Sequence, residues 1–320
     1  MIFLYIMKIV FLDADTLGSD VNFREIEQYG SLIMYPYTNK PDIIERVKDA
    51  EVIIVNKVVI GREEIDNLPS LKLICVAATG VNNIDVEYAA EKGVVVKNAV
   101  GYSTESVVQV TFGSLLSLIN SCEYFDNTVK SGRYSAGDSF TDTGRTFFEL
   151  SGKCFGIIGM GTIGRRVAEV ATAFGAKVCY YSTNGVAHNS DYASVSLEEL
   201  MCGCDIISVH APLNDKTRNL ISLKELKMAK QGAIVVNMGR GGIINEADLA
   251  EALDNGIIAG AVIDVFSKEP VPADHPFMKI GCKDRIIMTP HIGWASIEAR
   301  ERLITIIAEN IGKWAASSKV

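Results

Sequence analysis

His291 stands in MTPHIGWAS, residues 288–296, directly behind a proline and an apolar run, RIIM. It is one of only four histidines in the chain. An imidazole at the end of a strand can move a proton near neutral pH, or it can be a packed side chain. Which of the two it is depends on what else reaches the same place. The other chemically marked stretch is FGIIGMGTIGRRVA, where Gly159, Gly161 and Gly164 keep the G-x-G-x-x-G spacing. A strand-like run (CFGII) precedes it and a helical pattern begins inside it. A second strand-like run (KVCYYS) ends about twenty residues further on, which is the βαβ arrangement of a dinucleotide site. Gly159 permits the tight turn, and Gly161 lets a pyrophosphate approach the backbone. Gly164 lets the helix pack closely while its first N–H groups face the anion.

The end of the second run departs from the NAD pattern. Where a carboxylate would hold the ribose hydroxyls, the chain reads YYSTNG, with Ser182 at that place. Without that charge a 2′-phosphate is not repelled, and Ser182, Thr183 and Asn184 can donate hydrogen bonds to it. Positive charge would have to come from Arg165, Arg166 or His188. NADP(H) is therefore favoured and NAD(H) stays open.

These residues need a scaffold, and short β-branched runs alternate with longer amphipathic stretches along the whole chain. Strands are expected in KIVFLDA, EVIIVNKVVI, LKLICVAA, GVVVKN, CFGIIGM, KVCYYS, CDIISVHA, GAIVVNM, AGAVIDVF and RIIMTP. Most are nearly continuous in Val, Ile and Leu, as parallel strands covered on both faces are. In GTIGRRVAEVATAFG, Ile163, Val167, Val170 and Phe174 fall on one helical face and Gly175 follows as a stop. In NEADLAEALDNG, Asn245 is the expected N-cap and Gly256 follows the end. The alternation predicts an α/β protein of two doubly wound, parallel-sheet, Rossmann-like units. One long helix is expected from about Ser103 to Lys130, and residues 131–153, rich in Gly, Ser and Thr, read as a loop.

Bulk properties narrow the partners. The 320 residues are 48% hydrophobic and 22% charged, a globular composition. With a net charge of −8 and no basic run, no nucleic acid partner is expected. The opening MIFLYIMKIVFL is too short to span a bilayer, Lys8 interrupts it, and it lacks the basic start and cleavage site of a signal peptide. Residues 1–6 read as an upstream start or a short extension. No membrane partner is expected, and the location is expected to be cytoplasmic. Seven cysteines, most of them in apolar runs, fit buried free thiols of a reduced compartment. Cys202 and Cys204 lack zinc-site spacing, so no metal is expected.

After the glycine loop come VVNMGRGGIINEADL, GAVIDVFSKEP and TPHIGWAS, in that order. With them the chain resembles the D-isomer-specific 2-hydroxyacid dehydrogenase family. The likeness extends over nearly the full length, through ATGVNNID, VKNAVGYSTESVVQ and VHAPLNDKTRNLI. GYSTESVVQ and the Trp after HIG look most similar to glycerate dehydrogenases, also called hydroxypyruvate reductases. The resemblance implies that Arg240, Glu269 and His291 are catalytic, and each suits its role. Histidine can give a proton to a 2-oxo acid's carbonyl oxygen and take it back in the oxidative direction. A carboxylate bonded to the imidazole favours the protonated ring and orients it. A guanidinium grips a carboxylate with two parallel bonds and polarises the carbonyl.

Further roles come from the same resemblance. The backbone N–H groups of Thr79, Gly80 and Val81 would hold the substrate carboxylate alongside Arg240 and His291. Thr162 and Ile163 would meet the pyrophosphate, while His210, Ala211, Met238, Gly239 and Trp294 would line the cofactor. Asp264 would bond the nicotinamide carboxamide. His275, like His188, has no supporting context. The implied fold inserts a cofactor domain, residues 103–291, into a flavodoxin-like substrate domain, residues 1–102 and 292–320. The active site would lie in the cleft between them, in a homodimer. The favoured substrate pair is hydroxypyruvate and D-glycerate. The alternatives are a reductase of glyoxylate or another 2-oxo acid, and a non-catalytic dinucleotide-sensing interaction protein of the same fold.

Overall fold

The computed structural model describes residues 7–186 and 191–317, which fall into two compact units. One comprises Met1–Ser103 and Trp294–Val320, the other Thr104–Gly293. His188 and the first six residues lie outside the described residues.

The first unit holds strands β1 (Met7–Phe11), β2 (Gly30–Met34), β3 (Val52–Val55), β4 (Leu73–Val76) and β5 (Val95–Asn98). They form one parallel sheet in the order β2-β1-β3-β4-β5, the flavodoxin-like winding. Alternate residues of the same strand enter two separate cores. Ile9, Phe11, Val52, Ile54, Leu73 and Cys75 pack with Ala299, Leu303, Ile304, Ile307 and Ile311 of the helix Ile297–Ser317. Val10, Ile53, Val55, Ile74 and Val76 pack on the other side with Ile43, Val47, Ile65 and Ala89. Two buried faces explain why these strands read as unbroken apolar runs.

The second unit holds β6 (Cys154–Ile158), β7 (Lys177–Tyr181), β8 (Ala193–Ser194), β9 (Ile206–Val209), β10 (Ile234–Asn237), β11 (Gly260–Ile263) and β12 (Ile286–Met288). Their order is β12-β11-β10-β9-β6-β7-β8, all parallel, with the reversal falling between β6 and β9. This is the dinucleotide-fold winding, extended by one strand. The helix Thr104–Ile119 covers one face through Val107, Val108, Phe112, Leu115 and Ile119, beside Val167, Ala168 and Ala171 of the helix Thr162–Ala173.

Several elements differ from expectation. EVIIVNKVVI contributes only the four residues of β3, because the carboxylate of Asp13 takes the next backbone donors. It accepts from Asn56 N at 2.9 Å, Lys57 N at 2.6 Å and Val58 N at 3.0 Å, which pulls the chain off the ladder. The single helix expected from Ser103 to Lys130 is two, Thr104–Ile119 and Cys122–Lys130, broken at Ser121 in the left-handed region with φ 48°. Strands β2 and β8 were not expected. Both lie at sheet edges, and β2 leaves Ile33 and Met34 exposed, so neither carries a continuous apolar signature. Residues 131–153 hold no helix or strand, and no described helix is long and apolar enough to cross a membrane.

Candidate active site

All strands of the second sheet run parallel, so the loops leaving them open at one edge. The expected residues sit in those loops. Gly159 and Gly161 follow β6, Ser182 to Asn184 follow β7, and His210 and Ala211 follow β9. Met238 to Arg240 follow β10, Asp264 and Glu269 follow β11, and His291 follows β12. In open α/β sheets that edge, at the reversal of strand order, is where ligands bind.

The glycine loop is shaped by two steric demands. Gly159 has φ +95°, and a Cβ there would lie 2.9 Å from the backbone of Ala211. A Cβ on Gly164 would lie 2.1 Å from the carbonyl oxygen of Gly159. A Cβ on Gly161, by contrast, would meet nothing within 4 Å among the described residues beyond its chain neighbours. Gly161 caps the helix Thr162–Ala173 without a side-chain bond, so the first N–H groups, at Thr162, Ile163 and Gly164, are left to receive an anion. A groove of about 570 Å³ is lined by Gly159, Gly161, Ser182, Thr183, Asn184 and His210, together with Pro212 and the turn Asn214 to Lys216. These residues fit a dinucleotide.

Two of the three cations considered for the β7 end, Arg165 and Arg166, lie among the described residues. Arg166 is bound to Glu105 at 3.0 Å and to Glu169 at 2.8 Å, and those partners raise its pKa further. Arg165 turns to Met160 O. Neither lines the groove; Lys216 does. Asn214 Oδ1 accepts from Lys216 N at 2.9 Å, an Asx turn that presents this lysine. The sequence signal was the NDK run behind β9, at the reversal of strand order. The Ser182 hydroxyl faces Asn184 Oδ1 at 2.8 Å and Val186 O at 2.6 Å, which braces the β7 turn.

His210 bonds Ser208 Oγ through Nε2 at 2.8 Å, and its buried Nδ1 has no partner among the described residues. Burial pushes its pKa down to about 3, so the ring is neutral near pH 7 and no proton donor. Ala211 and Met238 are buried. A Cβ on Gly239 would lie 2.8 Å from Ala211 O, which packs the β9 and β10 loops together.

Asn237, the last residue of β10, clamps the next turn. Its Nδ2 donates to Arg240 O at 3.0 Å and its Oδ1 accepts from Gly239 N at 3.1 Å. Arg240 Nη1 donates to Gly239 O at 2.8 Å, and its guanidinium has no carboxylate partner among the described residues. The adjoining Gly241 abuts the β11 loop so closely that a Cβ would lie 1.9 Å from Phe266 C. In that loop Phe266 N donates to Glu269 Oε1 at 3.0 Å, and Glu269 Oε2 lies 2.7 Å from His291 Nδ1.

His291 itself has φ 55°, unusual for a side chain of this size. Asp264 holds that turn. Its backbone oxygen accepts from His291 N at 2.9 Å. Its buried carboxylate accepts from Thr289 Oγ1 at 2.6 Å, Ile292 N at 2.9 Å and Gly293 N at 2.8 Å. A carboxylate offers about four lone-pair sites, so one is left for a carboxamide. With Nδ1 on Glu269, Nε2 of His291 is the nitrogen that can meet a reacting oxygen.

In the first unit, Thr79 Oγ1 donates to Ala99 O at 3.0 Å, while Asn98 Nδ2 donates to Thr79 O at 2.6 Å. The N–H groups of Gly80 and Val81 have no acceptor among the described residues. Trp294 packs edge-on to Tyr102, with ring centroids 6.4 Å apart. Among the described residues no cluster of His, Cys, Asp or Glu is placed to hold a metal ion.

The sequence profile of the D-isomer specific 2-hydroxyacid dehydrogenase NAD binding domain matches residues 112–293. The chain belongs to this family. A hydroxypyruvate reductase of Blautia hydrogenotrophica is 36% identical over 98% of both chains. A glycerate dehydrogenase of Methylorubrum extorquens is 34% identical over 97% of this chain and 96% of its own. A solved acyclic imino acid reductase in complex with NADPH and D-Arg superposes with a TM-score of 0.87 and 28% identity, covering 97% of this chain and 98% of its own. As a D-2-hydroxyacid dehydrogenase, the chain is an oxidoreductase of CH–OH donors that works on small 2-hydroxy and 2-oxo acids with a nicotinamide dinucleotide.

Proposed function

We propose that the enzyme interconverts hydroxypyruvate and D-glycerate, with His291 as the acid and base, Glu269 as its carboxylate partner and Arg240 as the substrate clamp. The observation that carries the reading is the 2.7 Å Glu269–His291 bond on loops of neighbouring parallel strands, beside the loop of an arginine without a carboxylate partner among the described residues. The relatives named above support the choice of substrate.

When bound, the reduced dinucleotide supplies a hydride to the carbonyl carbon of the 2-oxo acid. Arg240 grips the carboxylate and polarises the carbonyl through charge-assisted bonds. His291 Nε2 gives its proton to the carbonyl oxygen as negative charge builds there, and Glu269 steadies the ring at Nδ1. The imidazole then regains a proton from solvent. In the oxidative direction Nε2 removes the hydroxyl proton.

NADP(H) is the proposed preference, supported by the absence of a carboxylate after β7 and by Lys216 on the same groove. A homodimer is proposed too, supported by Phe140 at 90% and Phe147 at 60% exposure, on a segment that would otherwise present aromatic surface to water. Seven free thiols support a cytoplasmic location.

The test is a panel of hydroxypyruvate, glyoxylate and pyruvate against NADPH and NADH with purified enzyme. The highest kcat/KM is expected for hydroxypyruvate with NADPH. A higher value for glyoxylate would move the assignment to a glyoxylate reductase. Cofactor binding without turnover of any 2-oxo acid would make the chain a dinucleotide sensor.

A further inference from the structure

Glu246 opens the helix Glu246–Asp254, one residue past its cap Asn245, and takes no direct part in the proton transfer proposed above. Its side chain is 12% exposed, and its carboxylate accepts three hydrogen bonds. Oε1 accepts from Ser267 N at 2.6 Å, and Oε2 accepts from Ser267 Oγ at 2.5 Å and from His275 Nε2 at 2.8 Å. The proton on His275 is fixed by geometry, because Nδ1 accepts from Phe277 N at 3.3 Å and Nε2 must therefore be the donor. The His275 ring is boxed between Phe266, edge-on at 5.9 Å, and Phe277 at 4.8 Å. The negative charge also sits in the first turn of a helix, where the backbone dipoles favour it.

The peptide that Glu246 grips joins two parts of the candidate site. On one side, a Cβ at Gly241 would lie 1.9 Å from Phe266 C and 2.2 Å from Ser267 N, so the Arg240 turn rests on that peptide. On the other side, Phe266 N donates to Glu269 Oε1 and so sets the carboxylate that reaches His291.

We propose that Glu246 is a positioning residue. By clamping Ser267, it holds the Phe266–Ser267 peptide where Glu269 meets His291 and where the Arg240 turn is seated. His275 is the prop that keeps Glu246 in place. The inference rests on the reading of His291 as the acid and base, but its test does not depend on turnover. A glutamine at 246 replaces one acceptor oxygen by an NH2 that faces donors, so the clamp opens. Glu269 then no longer lies steadily against His291, and the protonated ring loses support.

The experiment follows the imidazole of His291 by NMR in enzyme carrying ring-labelled histidine, its signal assigned by its absence from His291→Gln. In Glu246→Gln the titration midpoint of His291 is expected to move to lower pH by about one pH unit. The alkaline limb of kcat/KM for 2-oxo acid reduction should move with it. Glu269→Gln should give a similar shift, and the Glu246→Gln, Glu269→Gln double variant should show no further one, since both act through one bond. Ser267→Ala removes a single bond of the clamp and should give a smaller shift in the same direction. It is the deciding variant if Glu246→Gln does not fold. A midpoint equal to that of the unmodified enzyme in folded Glu246→Gln, or in Ser267→Ala in its place, would overturn the proposal, even where activity or melting temperature falls. Near-normal turnover in His291→Gln would instead remove the assigned function and leave the NMR coupling unaffected.

Discussion

Glu269 Oε2 and His291 Nδ1 are 2.7 Å apart although 22 residues separate them in the chain. The contact is built from both ends. The amide of Phe266 holds the other oxygen of Glu269, and Asp264 gathers Thr289, Ile292 and Gly293 around the strained turn of His291. A left-handed conformation costs a non-glycine residue about 1–3 kcal/mol and persists only where its surroundings impose it. Here the imposing group is a buried carboxylate whose bonds aim an imidazole at the ligand edge of the sheet.

Arg240→Lys keeps the charge and loses the planar fork. KM for the 2-oxo acid should rise about ten- to a hundredfold, because two parallel bonds are replaced by one point charge. Dinucleotide affinity, measured by fluorescence titration, should stay near that of the unmodified enzyme.

Gly241→Ala tests how tightly the Arg240 turn is seated. The added methyl would meet backbone atoms of Phe266 at 1.9–2.0 Å, and backbone cannot swing aside as a side-chain tip can. A loss of about 1–3 kcal/mol in chemical denaturation is expected, with a fall in kcat larger than that stability loss explains.

These two sites show what could be read from the chain and what could not. Ile53, Ile54 and Val55 announce a strand because both faces of their sheet are buried, and the glycine loop announces itself through spacing. Asn245 is legible as a cap because the cap bond is local: its side chain accepts from Asp248 N at 3.2 Å. The end of β3 at Asn56 was not legible, since the carboxylate that ends it, Asp13, lies 43 residues away. The same holds for Glu246 with His275, 29 residues apart. Their partners are chosen by strand order, which no local spacing encodes.

Cofactor choice can be tested at two positions. Ser182→Asp should shift preference toward NADH by placing a charge against a 2′-phosphate. Lys216→Ala should raise KM for NADPH about tenfold, the worth of one charge-assisted bond, and leave NADH nearly unchanged. Equal effects on both cofactors would place Lys216 away from the 2′-phosphate.

His210 gives a pH signature. Burial holds its folded pKa near 3, below the ordinary value of about 6.5. Between those values the unfolded chain binds a proton that the folded one refuses. The stability it withholds is therefore absent above pH 6.5 and grows as pH falls, by about 1.4 kcal/mol per pH unit. Urea denaturation at pH 7 and pH 5 should show a larger loss in the unmodified enzyme than in His210→Asn. Equal losses would mean that the ring takes up its proton without resistance.

The proton-transfer role of His291 is tested most directly by single-turnover reduction of hydroxypyruvate in His291→Gln with saturating NADPH. A rate lower by about 10²–10⁴-fold, the usual worth of a positioned acid, is predicted, with NADPH affinity unchanged. A rate within a few-fold of the unmodified enzyme would contradict it.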